Sequence, residues 1–382
     1  MMRAVALIDG EHYPPVVRDA LRALPYEWVG AIMVGGTEKL RPSTTGGDAD
    51  YGVPLVDGFG DAEAVVDLSD EPVLGPAERL RWASHALAAG LPYIGPDFRF
   101  EPPVFEPFEL PSIAVIGTGK RVGKTAVTAH LARLLARDRD VVVVAMGRGG
   151  PPEPELVATP PTVEDLVSRS RAGRHAASDH LEIAALAGVP TIGCRRAGGG
   201  LAGAVFTSNV LEGARLAAER TPDVVVFDGS GAAIPPIAVD RRVLVVGRDQ
   251  DADGYLNTYR RLISDVVIEN AEFRLRATAP LEGRVAVFTA GATEVSHLDA
   301  DVVHVSNNLA DRRLLQRDLV DADTYLVELK AAAVDVVFEH ALARGIRVVL
   351  AANDLIGDFD EQLLALAPLA ATRSAGGRGE RA

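Results

Sequence analysis

The chain has 382 residues, of which 48% are hydrophobic, so it can build more than one apolar core and global disorder is excluded. Its formal net charge of −14 argues against general nucleic-acid binding, which needs a basic face. No run approaches the ~18 uninterrupted apolar residues of a membrane helix, and a single cysteine, Cys194, excludes an internal disulfide or a cysteine-based zinc site. We therefore expect a cytoplasmic protein that binds neither nucleic acid nor membranes.

The first hundred residues alternate between short apolar runs and helical patterns. Apolar runs that predict strands lie at 5–8, 28–34, 64–68 and 91–94, and helical patterns lie at 15–24 and 76–89. This alternation is typical of βαβ units around a parallel sheet. Residues 96–111 are rich in proline and acids and have no helical period, which predicts a linker. We expect a Rossmann-like α/β domain over residues 1–108.

A second α/β region begins at Ser112. Strands are predicted at 113–117, 141–146, 224–228 and 243–247, helices at 124–136, 162–171, 179–188 and 203–219, and a proline-rich loop at 150–161. The later strands are near-continuous apolar runs, typical of parallel strands buried on both faces. The fold class is therefore α/β, with a P-loop NTPase domain and a mainly parallel sheet over residues 109–370. The polar tail at 371–382 is predicted to be disordered.

The loop from Gly117 to Thr125 reads Gly-Thr-Gly-Lys-Arg-Val-Gly-Lys-Thr and joins a strand to a helix. Backbone N–H groups of such a loop and of the helix N-terminus point at phosphate oxygens. Lys124 would reach the β- and γ-phosphates, and the Thr125 hydroxyl would hold Mg²⁺. The predicted nucleotide-binding residues are Gly117, Thr118, Gly119, Lys120, Arg121, Val122, Gly123, Lys124 and Thr125.

The register of this loop leaves other interpretations open. The strict G-x-x-x-x-G-K-[ST] pattern requires glycine at position 118, where this chain has Thr118, with Gly117 one step earlier. Gly117, Gly119 and Gly123 also form a loose dinucleotide fingerprint, but the spacing is wrong by one residue. A glycine-rich turn without a ligand is the remaining alternative. The strand–loop–helix context and the final Gly-Lys-Thr favour phosphate binding.

Two residues at the ends of buried strands complete the predicted nucleotide site. Asp228 ends the strand at 224–228 as a Walker B acid does and can bind Mg²⁺ directly or through water; a turn aspartate is the alternative. Arg148 follows the strand at 141–146 at the same edge of the sheet, where ligands bind in open α/β folds. No Asn-Lys-x-Asp element of guanine specificity occurs, so ATP is favoured. The predicted catalytic residues are Lys124, Lys120 and Arg148, and the predicted metal ligands are Thr125 and Asp228.

Lysine is scarce in this chain. Only four of the 39 basic residues are lysines, namely Lys39, Lys120, Lys124 and Lys330. Two of them lie in the phosphate loop, where the chemistry requires an ammonium group.

Three further segments resemble the cyclic 2,3-diphosphoglycerate synthetase family, namely 6–21 (ALIDGEHYPPVVRDAL), 173–203 (GRHAASDHLEIAALAGVPTIGCRRAGGGLAG) and 228–236 (DGSGAAIPP). The phosphate loop is also similar to that of dethiobiotin synthetase, in which an extra residue before Gly-Lys-Thr is normal. The resemblance implies an enzyme that uses ATP and Mg²⁺, with K⁺ as a further candidate cofactor. Its implied reaction closes 2,3-diphosphoglycerate into a cyclic phosphoanhydride and releases ADP and phosphate. It also implies an N-terminal α/β domain attached to a P-loop domain in a homodimer.

Such a substrate carries roughly four to five negative charges near neutral pH, so its site needs fixed cations and N–H donors. Arg195 and Arg196 form a guanidinium pair ahead of three glycines whose backbone can form an anion nest. The predicted substrate-binding residues are these two arginines with Arg174, His175, His180 and, after the first strand, Asp9, Glu11 and His12. The alternatives are a solvated turn for the arginines, capping or packing for the histidines, and a plain strand–helix connection for Asp9–His12.

Two other functions remain open. One is another ATP-dependent ligase of the dethiobiotin synthetase type, which would act on a carboxylate or an amine. The other is a P-loop ATPase switch of the partition type. Those proteins usually carry a signature lysine five positions before the P-loop lysine, where this chain has Gly119, with Lys120 one step later. A switch hydrolyses ATP slowly without a small-molecule substrate, whereas a ligase needs that substrate.

Overall fold

The computed structural model describes residues 1–39, 47–248 and 250–367. They form two compact units. The first comprises the described parts of Met1–Val104, Gly200–Ala204 and Asp249–Ser264, and the second those of Phe105–Gly199, Val205–Arg248 and Asp265–Ala382. The predicted tail at 371–382 lies outside the described residues, and the predicted boundary at residue 108 stays a prediction. None of the helices in the described part of the chain has the length and apolar character needed to span a bilayer.

The first unit is a mainly parallel α/β fold. Its elements are β1 (Met2–Ile8), α1 (Pro14–Ala23), β2 (Tyr26–Met33), α2 (Asp48–Tyr51), β3 (Ala64–Asp67), α3 (Pro76–Ala88), β4 (Tyr93–Ile94) and β5 (Arg99–Phe100). The sheet order is β2-β1-β3-β4-β5, and only the β4–β5 pair among these is antiparallel. α1 begins with prolines that suit a first helical turn, and it buries Val17 and Leu21, four residues apart on one face.

The second unit contains an eight-stranded sheet that carries the phosphate loop. Its elements are β6 (Ser112–Gly117), α4 (Lys124–Leu135), β7 (Val141–Gly147), β8 (Glu155–Val157), α5 (Val163–Arg171), α6 (Asp179–Ala187), β9 (Thr191–Ala197), β10 (Thr207–Ser208), α7 (Val210–Glu219), β11 (Val224–Asp228), β12 (Arg241–Val245) and, after α8 (Asn257–Leu262) of the first unit, β13 (Val266–Ile268). The order is β10-β9-β7-β11-β6-β12-β13, and β8 also pairs with β9. The strands from β9 to β13 in this order are parallel, while β8 and β10 run antiparallel to β9.

A further five-stranded sheet follows in the same unit. Its elements are β14 (Glu272–Ala277), β15 (Arg284–Phe288), β16 (Asp301–Ser306), α9 (Arg312–Arg317), β17 (Thr324–Glu328), a π-helical segment (Ala333–Phe338), α10 (Glu339–Arg344), β18 (Arg347–Ile356) and α11 (Asp360–Ala365). The order is β14-β18-β17-β15-β16, and only the β14–β18 pair among these is antiparallel. The α/β class with mainly parallel sheets is therefore confirmed.

Several sequence-based expectations differ from this architecture. The helix predicted at 203–219 begins only at Val210, because the preceding glycine-rich stretch disfavours a helix and residues 207–208 pair with β9 instead. The predicted loop at 150–161 contains β8, and the predicted linker at 96–111 contains β5. The sequence analysis also did not separate the sheet of β14–β18 from the P-loop sheet, since the local periodicity of a strand does not encode its partner.

The C-terminal helix α11 packs on the helix that follows the phosphate loop. Leu355 and Leu363 are buried in the same core as Val127 of α4. On the adjoining face, His130 Nε2 lies 2.7 Å from Asp360 Oδ1, and Arg133 Nη2 lies 2.8 Å from Asp354 Oδ1. The last described elements thus support the helix whose first residue is Lys124.

Replacing Leu363 by Ala should lower the free energy of unfolding by ~2–5 kcal/mol, because a fully buried leucine is removed from the core that holds α4. The matched control is Leu364→Ala, at a neighbouring side chain that is 39% exposed. The control should change the free energy of unfolding by less than ~0.5 kcal/mol. Urea unfolding followed by circular dichroism measures both, and equal effects would contradict the packing of α11 on α4.

Candidate phosphate-binding active site

The phosphate loop turns tightly between β6 and α4. Arg121 and Gly123 have φ angles of 58° and 94°, which places two of its residues in the left-handed region. The Thr118 N–H donates to the Val245 carbonyl at 3.2 Å, and the Gly247 N–H donates to Thr118 Oγ1 at 3.2 Å. The position where the strict pattern requires glycine is therefore occupied by a threonine that ties the loop to the end of β12.

Two glycines of the loop leave no room for a side chain. A Cβ at Gly117 would lie 2.7 Å from Cδ of Lys124, so glycine lets this lysine fold back along the loop. A Cβ at Gly123 would lie 2.4 Å from Cζ of Phe273, a residue of β14. The phosphate loop is thus packed from one side by the sheet of β14–β18.

Lys124 is buried under the loop that precedes it. The Lys124 Nζ donates to the Gly119 carbonyl at 3.1 Å, and Lys124 is only 7% exposed. Burial lowers the pKa of the Lys124 ammonium, while the negative charges of Asp228 and Asp179 oppose that shift. A desolvated ammonium next to a loop of backbone N–H groups is the arrangement that binds a phosphate.

Asp228 ends β11, the strand beside β6. Its Oδ1 accepts a hydrogen bond from Thr128 Oγ1 at 2.7 Å, whereas its buried Oδ2 has no hydrogen-bond partner among the described residues. Burial and the nearby charge of Asp179 raise the pKa of Asp228 to about 7, against the opposing effect of Lys124. Buried carboxylate oxygens are rarely left without a partner, so this residue fits a cation or its bound water.

The donor set around Asp228 fits Mg²⁺ better than a metal held by protein side chains alone. Among the residues that the structure describes, no group of three or more His, Cys, Asp or Glu side chains is arranged to hold a metal ion. Mg²⁺ commonly takes one or two carboxylates, and its other ligands are phosphate oxygens and water. Thr125, partly buried in the first turn of α4, and Asp228 are the residues that would hold it.

Asp179 is a residue of this site that the sequence analysis missed. It begins α6, and its Oδ2 lies 3.6 Å from the place where a Cβ of Gly147 would stand, at the end of β7. Its charge acts on Lys124, on Asp228 and on Arg196. The available signal was the Ser-Asp pair ahead of a helical pattern, which marks a helix N-terminus.

The side chains of the predicted pair Arg195 and Arg196 lie on opposite faces of the strand that contains both residues. Successive side chains of a strand point to opposite faces, and both residues belong to β9. Arg196 donates from Nη2 to the Ser230 carbonyl at 2.7 Å and from Nη1 to the Gly198 carbonyl. The Arg195 side chain is exposed, and its backbone N–H donates to Asn209 Oδ1 at 2.6 Å. The structure therefore brings Arg196, and not Arg195, to the loop after β11.

Lys120 and Arg148 lie near Arg196. A Cβ at Gly231 would stand 3.5 Å from Arg196 Nη2 and 3.9 Å from Lys120 Cγ. Burial and the positive charge of Arg148 lower the pKa of Arg196, and the charge of Asp179 opposes them. Three predicted cations thus gather at one edge of the sheet, with Asp179 as a shared counter-charge.

The segment before α6 places its basic residues differently. A Cβ at Gly149 would lie 3.3 Å from His175 Cδ2, so this exposed histidine sits over the loop that contains Arg148. Arg174 is also exposed, and both residues line a cavity of about 150 Å³. His180 is instead buried against Gly193, and its Nδ1 lies 2.9 Å from Ser178 Oγ. Burial lowers its pKa to about 4, so it packs as a neutral ring.

Asp9, Glu11 and His12 lie in the first unit, after β1. The buried Asp9 accepts hydrogen bonds from the backbone N–H groups of Glu11 and His12, both at 2.9 Å, and from that of Asp70 at 2.8 Å. His12 Nδ1 lies 2.9 Å from Asp9 Oδ1. Burial raises the pKa of Asp9, but these hydrogen bonds outweigh it and hold the pKa below its usual value. Asp9 therefore ties two loops together within its own unit.

Three domain models of one protein family match most of this chain. Models of the N-terminal, P-loop and C-terminal domains of cyclic 2,3-diphosphoglycerate synthetase match residues 3–101, 112–278 and 267–354. The ATP complex of Aquifex aeolicus LpxK is a faint structural likeness, at 15% identity and a TM-score of 0.41 over 69% of this chain and 89% of that one.

Two relatives serve as examples. The cyclic 2,3-diphosphoglycerate synthetase of Rubrobacter xylanophilus is 46% identical in an alignment that covers 99% of this chain and 100% of the relative. The synthetase of that name from Methanothermobacter thermautotrophicus is 38% identical and covers 91% of each chain. The resemblance noted from the sequence is confirmed, and the chain belongs to the cyclic 2,3-diphosphoglycerate synthetase family.

Proposed function

We propose that this chain is an ATP-dependent synthetase that closes 2,3-diphosphoglycerate into its cyclic form through an internal phosphoanhydride, with release of ADP and phosphate. The observation that carries the proposal is the buried Lys124 ammonium beneath the phosphate loop, next to a gathering of cations that includes Lys120 and Arg196. One phosphate-binding loop suits ATP, and the adjacent cations suit a second polyanion. Membership of the family supports the same reaction.

The proposed reaction has two phosphoryl transfers that balance. In the first, an oxygen of one substrate phosphate attacks the γ-phosphorus of ATP, so that a P–O–P bond forms and ADP leaves. In the second, an oxygen of the neighbouring substrate phosphate attacks the phosphorus that is bonded to the substrate. The ring anhydride forms, and the terminal phosphoryl group leaves as inorganic phosphate. Both steps need neutralisation of charge on phosphoryl oxygens more than they need a proton acceptor.

The residues divide between these tasks. Lys124 and the N–H groups of the loop neutralise the β- and γ-phosphates. Thr125 and Asp228 would hold Mg²⁺, which would supply further neutralisation of charge. Lys120, Arg148 and Arg196 supply positive charge where the substrate phosphate meets the γ-phosphate. K⁺ is a further candidate cofactor in this proposal.

Other parts of the proposal extend beyond this site. His175 and Arg174 are candidates for the outer part of the substrate site, since they lie beside the loop that contains Arg148. The hydrogen bonds of Asp9 favour a loop-stabilising role for it over substrate binding, and Glu11 and His12 stay predictions. We also propose a cytoplasmic homodimer whose N-terminal α/β domain and P-loop domain divide near residue 108.

The test of the proposed function is ADP release from ATP and Mg²⁺, measured with and without 2,3-diphosphoglycerate, with the products followed by phosphorus NMR. We expect substrate-dependent ADP formation and a new phosphoanhydride resonance. ATP turnover that is indifferent to this substrate would exclude the cyclising reaction and leave a ligase of the dethiobiotin synthetase type or an ATPase switch.

Replacing Lys124 by Ala should lower kcat at least ~100-fold, because the charge that faces the transferring phosphoryl group is lost. The measurement is substrate-dependent ADP release at saturating ATP. Arg137→Ala is the matched control, since it removes an exposed positive charge just beyond the other end of α4 and should leave kcat unchanged. Near-normal activity of the Lys124 variant would refute the mechanism.

Replacing Arg196 by Ala should raise KM for 2,3-diphosphoglycerate by ~10- to 100-fold, because a charged hydrogen-bonding group beside Lys120 is removed. Arg195→Ala serves as the comparison and should have a smaller effect, since its exposed side chain points to the other face of β9. Initial rates at varied substrate concentration measure both. An unchanged KM in the Arg196 variant would exclude its substrate role.

A further inference from the structure

Lys330 is one of the four lysines of this arginine-rich chain, and the phosphate site does not use it directly. It follows β17, and its Nζ donates to both carboxylate oxygens of Glu182, at 2.7 and 2.9 Å. The Glu182 side chain is only 13% exposed. Within the second unit, an ammonium group that follows a strand of the sheet of β14–β18 therefore contacts a carboxylate of α6.

Glu182 lies on the same face of α6 as Asp179, three residues earlier, because residues at this spacing are neighbours on a helix. Burial and the charges of Asp179 and Glu328 raise the pKa of Glu182, and Lys330 opposes them. The charge of Asp179 acts in turn on Asp228 and Lys124 of the phosphate site and on Arg196 of β9. Among the described residues of the segment that forms the sheet of β14–β18, Lys330 is the cation that contacts Glu182.

The strand end that carries Lys330 is itself held in place. Glu328, the last residue of β17, accepts a hydrogen bond from Asn353 Nδ2 at 2.6 Å and another from the Ala290 N–H at 2.7 Å. These contacts connect β17 to the neighbouring strand β18 and to the residues after β15. Lys330 thus follows a strand end that side-chain hydrogen bonds tie to its neighbours.

A second ion pair joins a helix of the P-loop region, α5, to a helix of the C-terminal region, α10. Arg171 at the end of α5 donates from Nε to Glu339 Oε1 at 2.8 Å. The side chains of Arg171 and Glu339 are 65% and 33% exposed, against 40% for Lys330 and 13% for Glu182. Exposed pairs contribute little to stability, so it provides a comparison that differs in its relation to Asp179.

We propose that Lys330 is a positioning residue for phosphoryl transfer. Through Glu182 it fixes the first turn of α6, and thereby the place of Asp179 opposite Lys124 and Arg196. The catalytic part of this inference rests on the proposed function. It assigns to the sheet of β14–β18, which carries no phosphate loop, a contribution to the geometry of the reaction.

The test compares kcat and KM of Lys330→Met, Lys330→Arg, Glu182→Gln and the double variant Lys330→Met/Glu182→Gln with the control Arg171→Met. Binding of a non-hydrolysable ATP analogue counts the intact sites in each preparation. Lys330→Met should lower kcat per intact site by ~10- to 100-fold, because a small displacement of a group that faces the reacting phosphates slows the reaction this much. KM for ATP should stay within threefold, and Lys330→Arg should restore part of kcat.

The double variant should be no slower than the slower single variant, because the two side chains act as one pair. Arg171→Met should keep the kcat of the parent. Equal losses in Lys330→Met and Arg171→Met would show a general loosening and overturn the inference, as would a kcat of Lys330→Met within twofold of the parent.

Hydrogen exchange of residues 176–187 provides a readout that does not depend on turnover. The first turn of α6 should exchange at least ~10-fold faster in Lys330→Met than in the parent, and at the parental rate in Arg171→Met, since opening of a local element follows the loss of its own contacts. If the parent enzyme shows no turnover that depends on 2,3-diphosphoglycerate, the proposed function fails, and the catalytic part of the inference fails with it. Unchanged exchange in Lys330→Met overturns the positioning role itself.

Discussion

The burial of the Lys124 ammonium is the interaction on which the rest of the P-loop layer depends. A buried charge is unfavourable unless polar groups and opposite charges surround it. Here the Gly119 carbonyl, Asp228 and Asp179 supply them, and each comes from a different part of the chain. The glycine at 117 leaves space for the folded-back lysine. The site is therefore built around a buried ammonium that donates to the Gly119 carbonyl and can still bind a phosphate.

The sheet of β14–β18 and the helix α11 that follows it contact the elements that form this site. Phe273 packs on Gly123, Leu363 packs on the core of α4, and Lys330 holds Glu182 of α6. Three contacts of different kinds thus reach the loop, the helix after it and the helix that carries Asp179. A misplacement of about 1 Å can slow an enzymatic reaction ~100-fold, so under the proposed function these contacts bear on the rate of phosphoryl transfer.

The distribution of charge matches a polyanionic substrate in an acidic protein. The net charge of −14 repels anions at long range, yet Lys120, Arg148 and Arg196 gather beside the phosphate loop. Asp179 limits the repulsion among these cations without neutralising all of them. Under the proposed function, this local excess of positive charge is what a second polyanion beside ATP requires.

The sequence by itself determined the strand–loop–helix of the phosphate site, the position of Asp228 at a strand end and the mainly parallel α/β class, because these follow from local pattern and from chain order. Only the tertiary structure decided that the side chains of Arg195 and Arg196 lie on opposite faces of β9, that His180 is buried, and that Asp179 belongs to the candidate site. It alone showed that the strands between residues 272 and 356 form a separate sheet, and that Lys330, just after β17, contacts α6. Local periodicity predicts which residues form a strand or a helix, whereas strand pairing, the facing of adjacent side chains and contacts between residues 148 positions apart depend on packing.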